Sequence, residues 1–323
     1  MVNMWERAGY KLGDKIITFR GVKIKGVHRG IYWQEQPLYN ALEMSPFHLN
    51  YETANIYIKK IVEWKPKFLH GYPSCITLLA KLVRIFNFES FPKIKAVFLA
   101  SENIYPWQRN TIEKAFNTRV FSWYGMTEKT VLAGECEYSH IYHVFPQYSY
   151  VEVLDKNGEQ VDKGEEGEVI ATCFLSTAMP LIRYRTNDKA KISQLDACEC
   201  KREYLLFENV KGHRNLEDLV VGRRGSLISL TALNIHSDAF DNCERFQLYQ
   251  DTPGKLIIRI VPIRGKFSEK DVKKIESVFK NRISNELDIE IDLSENIFIT
   301  PAGKVPILDQ KLNIEKYINE LIY

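Results

Sequence analysis

Between residues 51 and 125 the chain alternates between two patterns of apolar and polar positions. Apolar residues at intervals of three and four predict amphipathic helices, and short apolar runs bounded by polar residues predict strands buried in a covered sheet. Helices and strands are predicted in turn at 51–65, 67–72, 73–86, 95–101, 105–116 and 119–125. Strands separated by helices pair in parallel through right-handed crossovers, so this part of the chain predicts an α/β sheet.

The pattern changes after about residue 148, where strands follow one another without helices between them. The runs "SYVEVLD", "EEGEVIATCFL" and "AKISQL" predict a mainly antiparallel subdomain. Beyond residue 225, a strand, a helix over 268–284 and another strand predict a small α+β module. The predicted fold class is an α/β large domain, with a parallel sheet and an antiparallel subdomain, at 1–211, followed by an α+β C-terminal lid domain at 212–323.

Composition and charge exclude several classes of function. A net charge of +3 in 323 residues gives no reason to expect nucleic acid as a partner. No run of about eighteen apolar residues is present, and the N-terminus lacks the apolar segment of a signal peptide, so we predict a cytoplasmic protein with no membrane span. In that compartment the six cysteines are expected as thiols or metal ligands, not as disulfides.

Two polar segments, Ser101-Glu102 and Gly125–Glu128, follow the second and third predicted strands. Open parallel sheets bind their ligands at the carboxyl ends of the strands. Both segments are therefore candidates for a binding site, although each residue taken alone also suits an ordinary turn or cap.

Six short motifs occur in the order of a known enzyme family. They are "HGYPS" (70–74), "ASEN" (100–103), "YGMTE" (124–128), "IRYRTND" (182–188), "GHRNLEDLVV" (212–221) and "TPAGKVP" (300–306). This ordered set resembles the adenylate-forming ligases that include acyl-CoA synthetases, and most of all the phenylacetate–CoA ligase group in its capsular polysaccharide branch. Two positions differ from the family motifs. Asn187 replaces a glycine, and His213 stands where arginine is usual.

By this resemblance the protein would activate a carboxylic acid with ATP as an acyl-adenylate and transfer the acyl group to a thiol such as CoA. The implied catalytic residues are Lys304, Thr127 and Glu128. Thr127 would bind the α-phosphate, Glu128 would hold Mg²⁺, and Lys304 would reach the α-phosphate and carboxylate oxygens. Taken singly, they also suit a helix cap, a solvated carboxylate and a turn lysine.

The same resemblance implies a nucleotide site for ATP or AMP. Its residues would be Ser101, Glu102, Tyr124, Gly125, Asp188 and Arg214. Tyr124 would border the adenine, Asp188 would accept both ribose hydroxyls, and Arg214 would contact the ribose from a hinge between the domains. The hinge position itself is open between Glu217 and Asp218.

The acid substrate is not defined by the sequence. Its pocket would be lined by residues around 70–74, 101 and 120–124. Trp123 and Tyr124 permit an aryl acid, although aromatic side chains also fill protein cores. Resemblance to the polysaccharide branch implies a carboxylate used in surface glycan synthesis, with CoA or another acceptor.

Three thiols and an imidazole form a second candidate site, and this is a common ligand set for structural zinc. The residues are Cys136, His143, Cys198 and Cys200. Some phenylacetate–CoA ligase relatives have a Cys/His segment and a Cys-x-Cys pair at the corresponding places, which implies Zn²⁺ here. The alternatives are separate thiols with a surface His143, or His140 as the ligand. Cys75, Cys173 and Cys243 are expected as small buried side chains.

One family motif is not found, a Ser/Thr/Gly-rich loop whose amides would cradle the β- and γ-phosphates. The first residues, "MWERAGYKLGDK", resemble the region after this loop, which predicts that an N-terminal portion is absent. Two hypotheses follow: a ligase, acting directly or as half of a split enzyme, and a catalytically poor remnant that binds nucleotide or a partner. A zinc-stabilised binding module is a third.

For the chain alone we predict little acid-dependent ATP–pyrophosphate exchange, because the phosphate loop is missing from these residues. The expected small-molecule partners are a carboxylic acid and a nucleotide. A separate N-terminal fragment and a second copy in a homodimer are both left open as protein partners.

Overall fold

The computed structural model describes residues 2–88, 90–212, 218–233, 237–293, 297–298 and 306–320. None of the described helices is both long and apolar enough to cross a membrane. The cytoplasmic location stays a prediction.

The described part of the chain contains six α-helices and eighteen strands. The helices are α1 Val2–Glu6, α2 Ala54–Trp64, α3 Pro73–Ile85, α4 Pro106–Phe116, α5 Glu269–Ile283 and α6 Ile314–Glu320. The strands are β1 Ile16–Phe19, β2 Trp33–Gln36, β3 Ala41–Met44, β4 Phe68–Gly71, β5 Ala96–Leu99, β6 Val120–Gly125, β7 Leu132–Gly134, β8 Tyr142–Val144, β9 Ser149–Leu154, β10 Glu166–Cys173, β11 Tyr184–Ile192, β12 Leu206–Lys211, β13 Leu219–Val221, β14 Leu227–Ser229, β15 Cys243–Gln250, β16 Lys255–Pro262, β17 Asp288–Asp292 and β18 Leu308–Gln310.

The chain divides into two compact units, each assembled from separated segments. Unit 1 comprises Met1–Asp14, Lys67–Pro73 and Lys93–Asn215, and unit 2 comprises Lys15–Pro66, Ser74–Pro92 and Leu216–Tyr323. The last change of unit lies close to the predicted boundary between 211 and 212, but two earlier segments group with the C-terminal residues. The division into domains 1–211 and 212–323 therefore stays a prediction.

Unit 1 contains the parallel strands predicted from the short apolar runs. β4 pairs with β5 and β5 with β6, with Phe68 opposite Ala96 and Val97 opposite Val120. Every residue of β4 and of β5 is buried, which fits their lack of alternation between polar and apolar positions. α4 connects β5 to β6, and Asn117, the C-cap residue after its last residue, has a left-handed φ of 46° that suits an asparagine.

β6 is the strand at which the direction of pairing changes. It is parallel to β5 on one side and antiparallel to β7 on the other, with Tyr124 opposite Ala133 and Gly125 opposite Leu132. The loop 126–131 therefore leaves the carboxyl end of a parallel strand. Beyond it the strand order is β7-β8-β12-β11-β10-β9, and these pairings are antiparallel. The sequence predicts antiparallel strands only after about residue 148, so β7 and β8 were not predicted.

β11 differs from the strand predicted at "AKISQL". It begins at Tyr184, ends at Ile192 and contains the whole Tyr-Arg-Thr-Asn-Asp sequence. A bulge against β10, between Glu168 and Ile170, lets the strand continue through this motif. Burial alternates along the whole of β11, but two of its buried positions, Thr186 and Asp188, are polar. The pattern of apolar residues therefore does not reveal the first part of this strand.

Unit 2 contains three groups of strands. β2-β3-β1 are neighbours in that order, β13 pairs with β14, and the C-terminal sheet has the order β17-β16-β15-β18. α5 buries Ile275 and Phe279, and the Ser268 backbone N–H donates to Asp271 Oδ2 at 2.8 Å, which confirms the predicted helix start. A large mixed α/β part followed by a small C-terminal α+β sheet confirms the predicted fold class.

Candidate functional site

The loop after β6 carries the candidate phosphate and magnesium residues. A hydrogen bond of 3.1 Å from the Lys129 N–H to the Met126 carbonyl closes a turn. Thr130 is buried just beyond it, and its hydroxyl lies 2.7 Å from the Met126 sulfur. The turn therefore presents Thr127 and Glu128, both exposed, at the carboxyl end of β6.

Two tyrosine–carboxylate hydrogen bonds join this region to β11. The Tyr124 hydroxyl donates to Asp188 Oδ2 at 2.7 Å, and the Tyr184 hydroxyl donates to Glu128 Oε1 at 3.3 Å. The two contacts are reciprocal, because each motif contributes one tyrosine and one carboxylate. The structure thus brings together "YGMTE" and "IRYRTND", which the sequence predicts as parts of one site.

The bulge in β11 sets the position of Asp188. Asn187 has a φ of 57°, in the left-handed region that only glycine and asparagine enter readily, which explains how asparagine replaces the glycine of the related motif. The Thr186 hydroxyl donates to the Val169 carbonyl at 2.8 Å and accepts from the Asp188 N–H at 3.0 Å. The side chain of Thr186 thereby takes over hydrogen bonds of the interrupted ladder, and Asp188 is left buried.

The electrostatics of these pairs favour neutral tyrosines. Burial, and after it the charge of Asp188, raises the pKa of Tyr124 far above its usual value. The charge of Glu128 raises the pKa of Tyr184. Both hydroxyls therefore keep their protons at neutral pH and act as donors. A buried carboxylate beside such a donor is suited to binding uncharged hydroxyl groups such as those of a ribose.

The loop after β5 reaches the same region through Asn103. Ser101 is exposed with a φ of 72°, and Glu102 is half-buried. Asn103 forms two hydrogen bonds of 3.1 Å with the backbone of Gly212. A Cβ atom built on Gly212 would lie 3.8 Å from Asp188 Oδ1, so Gly212 is next to both the loop and the bulge.

Two predicted site residues, Arg214 and Lys304, lie outside the described residues. The same holds for His213 and Glu217, whereas Asp218 is described and half-buried. The roles of Arg214 and Lys304, and the hinge position, stay predictions.

The residues expected around the acid pocket include a group of packed aromatic rings. The His70 and Trp123 rings are 5.1 Å apart, and Trp5 stacks on Phe98 at 4.9 Å. Trp5, which the sequence did not indicate, also lies 5.3 Å from His70 and 6.0 Å from Trp123. These rings contact one another as aromatic side chains of a core do, so this packing does not define the acid.

The four candidate zinc ligands come together in unit 1. The ligand atoms of Cys136, His143, Cys198 and Cys200 all lie within 4.8 Å of one another. Cys136 Sγ is 3.6 Å from Cys198 Sγ, and Cys200 Sγ is 3.1 Å from His143 Nε2. Two thiolates each about 2.3 Å from one tetrahedral zinc would be about 3.8 Å apart, so the sulfur spacing fits this metal.

His143 has a hydrogen-bond partner that suits a ligand. Its Nδ1 lies 2.9 Å from the Ile141 carbonyl and donates to it, so Nε2, which faces the thiols, is the acceptor nitrogen. Burial lowers the pKa of His143, which favours the neutral ring that binds metals. His140, the alternative ligand, instead contacts Glu135 and Arg109.

Two arginines support the segment after Cys136. Arg119 donates to the carbonyls of Cys136, Glu137 and Ser139. Arg202, two residues beyond Cys200, pairs with the Glu137 carboxylate through two hydrogen bonds of 2.8 and 2.9 Å. These contacts fix the turn that carries the first candidate ligand.

Sequence reasoning missed Tyr184, Asn103 and Arg119. Tyr184 and Asn103 lie inside the motifs "IRYRTND" and "ASEN", and their place in those motifs was the available signal. Arg119 has no such signal, because only its contacts distinguish it from other arginines.

Comparison with known proteins finds similarity to CapK and to two phenylacetate-coenzyme A ligases. Residues 220–311 match the CapK C-terminal domain family. The chain is 25% identical over 312 residues to Protein CapK of Staphylococcus aureus, a match that covers 93% of this chain and 65% of CapK. The phenylacetate-coenzyme A ligase of Aromatoleum evansii is 29% identical over 143 residues, covering 42% of this chain and 32% of that ligase. The phenylacetate-coenzyme A ligase of Thermus thermophilus is 25% identical over 170 residues, covering 50% of this chain and 37% of that ligase.

The chain is similar to the adenylate-forming ligases of the phenylacetate–CoA ligase and CapK group. It spans about two thirds of CapK, 65%, and about a third of each of the two ligases. Among solved structures, 2-hydroxyisobutyryl-CoA ligase in its thioesterification state has a TM-score of 0.57 at 17% identity, covering 98% of this chain and 69% of that chain. Its open conformation has a TM-score of 0.51 at 18% identity, covering 94% and 68%. At these identities the structural likeness shows that the chain shares the fold of these ligases, and it shows nothing about activity.

Proposed function

We propose that the protein activates a carboxylic acid with ATP to an acyl-adenylate and pyrophosphate, and transfers the acyl group to a thiol such as that of CoA. The observation that carries this proposal is the reciprocal pair of tyrosine–carboxylate contacts, Tyr124 with Asp188 and Tyr184 with Glu128. They join two motifs that a nucleotide site needs side by side. The similarity to two phenylacetate–CoA ligases supports the same class of reaction.

Asp188 would bind the ribose of ATP. One of its oxygens accepts the Tyr124 hydroxyl, which orients the buried carboxylate without neutralising it. Thr127, exposed on the turn after β6, would donate to the α-phosphate and stabilise the negative charge that develops there. Ser101, Glu102 and Gly125 would complete the nucleotide site at the two strand ends.

Glu128 would hold Mg²⁺. It is exposed, and Tyr184 orients its carboxylate, and Mg²⁺ is commonly bound by one or two carboxylates together with substrate phosphates. The ion would neutralise phosphate charge. By resemblance, Lys304 would contact the α-phosphate and Arg214 the ribose.

The substrate we propose is a carboxylate used in the synthesis of a surface glycan. The similarity to CapK over 93% of this chain supports this assignment. The acceptor would be CoA or another thiol.

We also propose that Cys136, His143, Cys198 and Cys200 hold a structural zinc ion. Four protein ligands fill a tetrahedral site and leave no position for substrate, so the role would be structural. The ion would link the segment between β7 and β8 to the loop between β11 and β12.

The alternative is a nucleotide- or partner-binding module without ligase activity, which the contact of Tyr124 with Asp188 would support equally well. Its partner would be a separate N-terminal fragment or a second copy of this chain.

AMP binding and pyrophosphate exchange distinguish these functions. We expect the chain to bind AMP, and Asp188→Ala to abolish binding, whereas Asp196→Ala, at an exposed carboxylate, leaves it unchanged. Robust acid-dependent ATP–pyrophosphate exchange across a panel of acids would establish the ligase and overturn the expectation of weak exchange. AMP binding without exchange would support the nucleotide-binding module over direct catalysis by this chain, and no AMP binding would overturn the nucleotide site on which both depend.

A further inference from the structure

The side chain of Asn103 recognises the backbone of Gly212. Asn103 Nδ2 donates to the Gly212 carbonyl at 3.1 Å, and Asn103 Oδ1 accepts from the Gly212 N–H at 3.1 Å. Both polar atoms of the amide are used on one residue that is 109 positions away in the chain. An amide carries a donor and an acceptor side by side, so it can satisfy the N–H and the C=O of a single residue together.

Gly212 comes directly after β12. Lys189 of β11 lies opposite Lys211 of β12 in an antiparallel pair, and Asp188 and Gly212 are the residues next to this pair on the two segments. Asn103 offers Gly212 the donor and acceptor that a neighbouring strand residue would offer. The loop after β5 is thereby attached to the chain at the point where it leaves β12.

The missing side chain of Gly212 matters at this place. A Cβ atom there would lie 3.5 Å from Asn103 Oδ1 and 3.8 Å from Asp188 Oδ1, both ordinary contact distances. Alanine would therefore fit without strain, but its methyl group would cover part of the carboxylate that Tyr124 orients. Glycine places no such group against the carboxylate.

We propose that Asn103 is a positioning residue of the nucleotide site. It holds the Gly212 backbone beside Asp188, so that a residue without a side chain borders the bound ribose. That a nucleotide binds at this place rests on the proposed function. The attachment of Gly212 by Asn103 is a separate claim that can be measured without a ligand.

The attachment has a direct readout, because Lys211 precedes Gly212. Trypsin cleaves after lysine, and the scissile Lys211–Gly212 bond contains the N–H that donates to Asn103. Cleavage needs local opening of the backbone. We expect Asn103→Ala to accelerate cleavage at this bond several-fold, with the cut identified by mass spectrometry. Asn110→Ala, at an exposed position on α4, is the matched control and should leave the rate unchanged.

Two further variants separate hydrogen bonding from space filling. Asn103→Asp has the same shape but places an oxygen against the Gly212 carbonyl. We therefore expect it to accelerate trypsin cleavage at Lys211–Gly212 as Asn103→Ala does. A role in packing alone predicts that the aspartate variant behaves as the wild type. Gly212→Ala keeps both backbone groups for Asn103, so it should leave cleavage unchanged and weaken AMP binding.

Calorimetry with AMP tests the role in the nucleotide site. We expect Asn103→Ala and Asn103→Asp to weaken AMP binding about tenfold, since two hydrogen bonds that position the site are lost. Unchanged cleavage in both variants would overturn the attachment, and faster cleavage with unchanged AMP affinity would overturn the role in nucleotide binding. If the wild type binds no AMP, the nucleotide role and the proposed function both fail, while the cleavage rates still decide whether Asn103 holds Gly212.

Discussion

Tyr124 and Tyr184 each donate a hydrogen bond to a carboxylate of the other motif. At the scale of the residue this arrangement orients Asp188 and Glu128 before any ligand arrives, and a carboxylate that is already oriented loses less freedom when it binds. Asp188 is buried whereas Glu128 is exposed, so the first pair is expected to contribute more to stability than the second.

Tyr124→Phe tests this difference. The variant leaves a buried carboxylate without its tyrosine donor, so we expect a loss of about 1–3 kcal/mol in the free energy of unfolding and weaker AMP binding. Denaturant titration measures the first and calorimetry the second. Tyr150→Phe, at an exposed tyrosine of β9, should change neither, and equal effects of the two variants would contradict the role of the hydroxyl.

Asn187 tests the backbone of the bulge. Its φ of 57° costs alanine about 1–2 kcal/mol but costs glycine nothing, so Asn187→Ala should destabilise the protein while Asn187→Gly is neutral or slightly stabilising. Denaturant midpoints of the two variants provide the measurement. Asn209→Ala, at an exposed position of β12, is the control, and a tolerated Asn187→Ala would argue against the left-handed conformation.

At the scale of the element, β6 and β8 decide where the two candidate sites form. β6 joins parallel to antiparallel pairing, which places the loop 126–131 at the carboxyl end of a parallel strand. β8 pairs with β12, and His143 lies opposite Leu206. Leu206 follows closely in the chain after the segment that carries Cys198 and Cys200. This pairing accounts for His143, and not His140, being in the cluster.

Metal analysis tests the cluster. We expect about one zinc ion per chain in the purified protein, because four ligands within reach of one another form a closed structural site. Cys198→Ser should lose the metal and lower the melting temperature, and chelation of the wild type should do the same, reversibly on adding zinc. Cys243→Ser, at a half-buried cysteine of β15, is the control. Absence of zinc, or its retention in the Cys198 variant, would contradict the proposal.

At the scale of the whole molecule, each unit is assembled from segments far apart in the chain. Unit 2 buries a titratable group, His48, whose ring stacks near Tyr32 at 5.5 Å and whose Nδ1 lies 2.7 Å from the Ser45 hydroxyl. Burial, followed by the charge of Arg224, lowers the pKa of His48 to about 4. A histidine in the unfolded chain has a pKa near 6.5, so the folded and unfolded states take up this proton at different pH.

The free energy of unfolding is therefore expected to decrease as the pH falls below about 6.5. Because the folded-state pKa is depressed, the contribution of His48 is fully present above about pH 6.5 and is lost as the pH falls toward 4, by at most about 3 kcal/mol. Denaturant unfolding at several pH values measures this loss. His48→Gln should flatten the dependence in this window, and His28→Gln, at an exposed histidine, should not. A His48 variant that retains the full slope would contradict the assignment.

Particular elements explain how much of the fold the sequence predicts. β4, β5 and β6 are short apolar runs separated by helices, and their pattern alone indicates parallel pairing. β7 and β8 have three residues each, too few for any period to appear, and the first part of β11 is hidden because its buried positions Thr186 and Asp188 are polar. Such strands form because partners elsewhere in the chain complete their hydrogen bonds.

The candidate sites divide in the same way. Residue types and motif order, such as Tyr124 in "YGMTE" or Cys198-x-Cys200, are properties of the local sequence. They are sufficient to indicate the candidate residues and the class of chemistry that these residues suit. The contacts of Tyr124 with Asp188, of Asn103 with Gly212 and of His143 with Cys200 follow from the tertiary structure. Each of them joins residues at least 57 positions apart, and strand register, a bulge and the pairing of short strands determine which of the many possible partners meet.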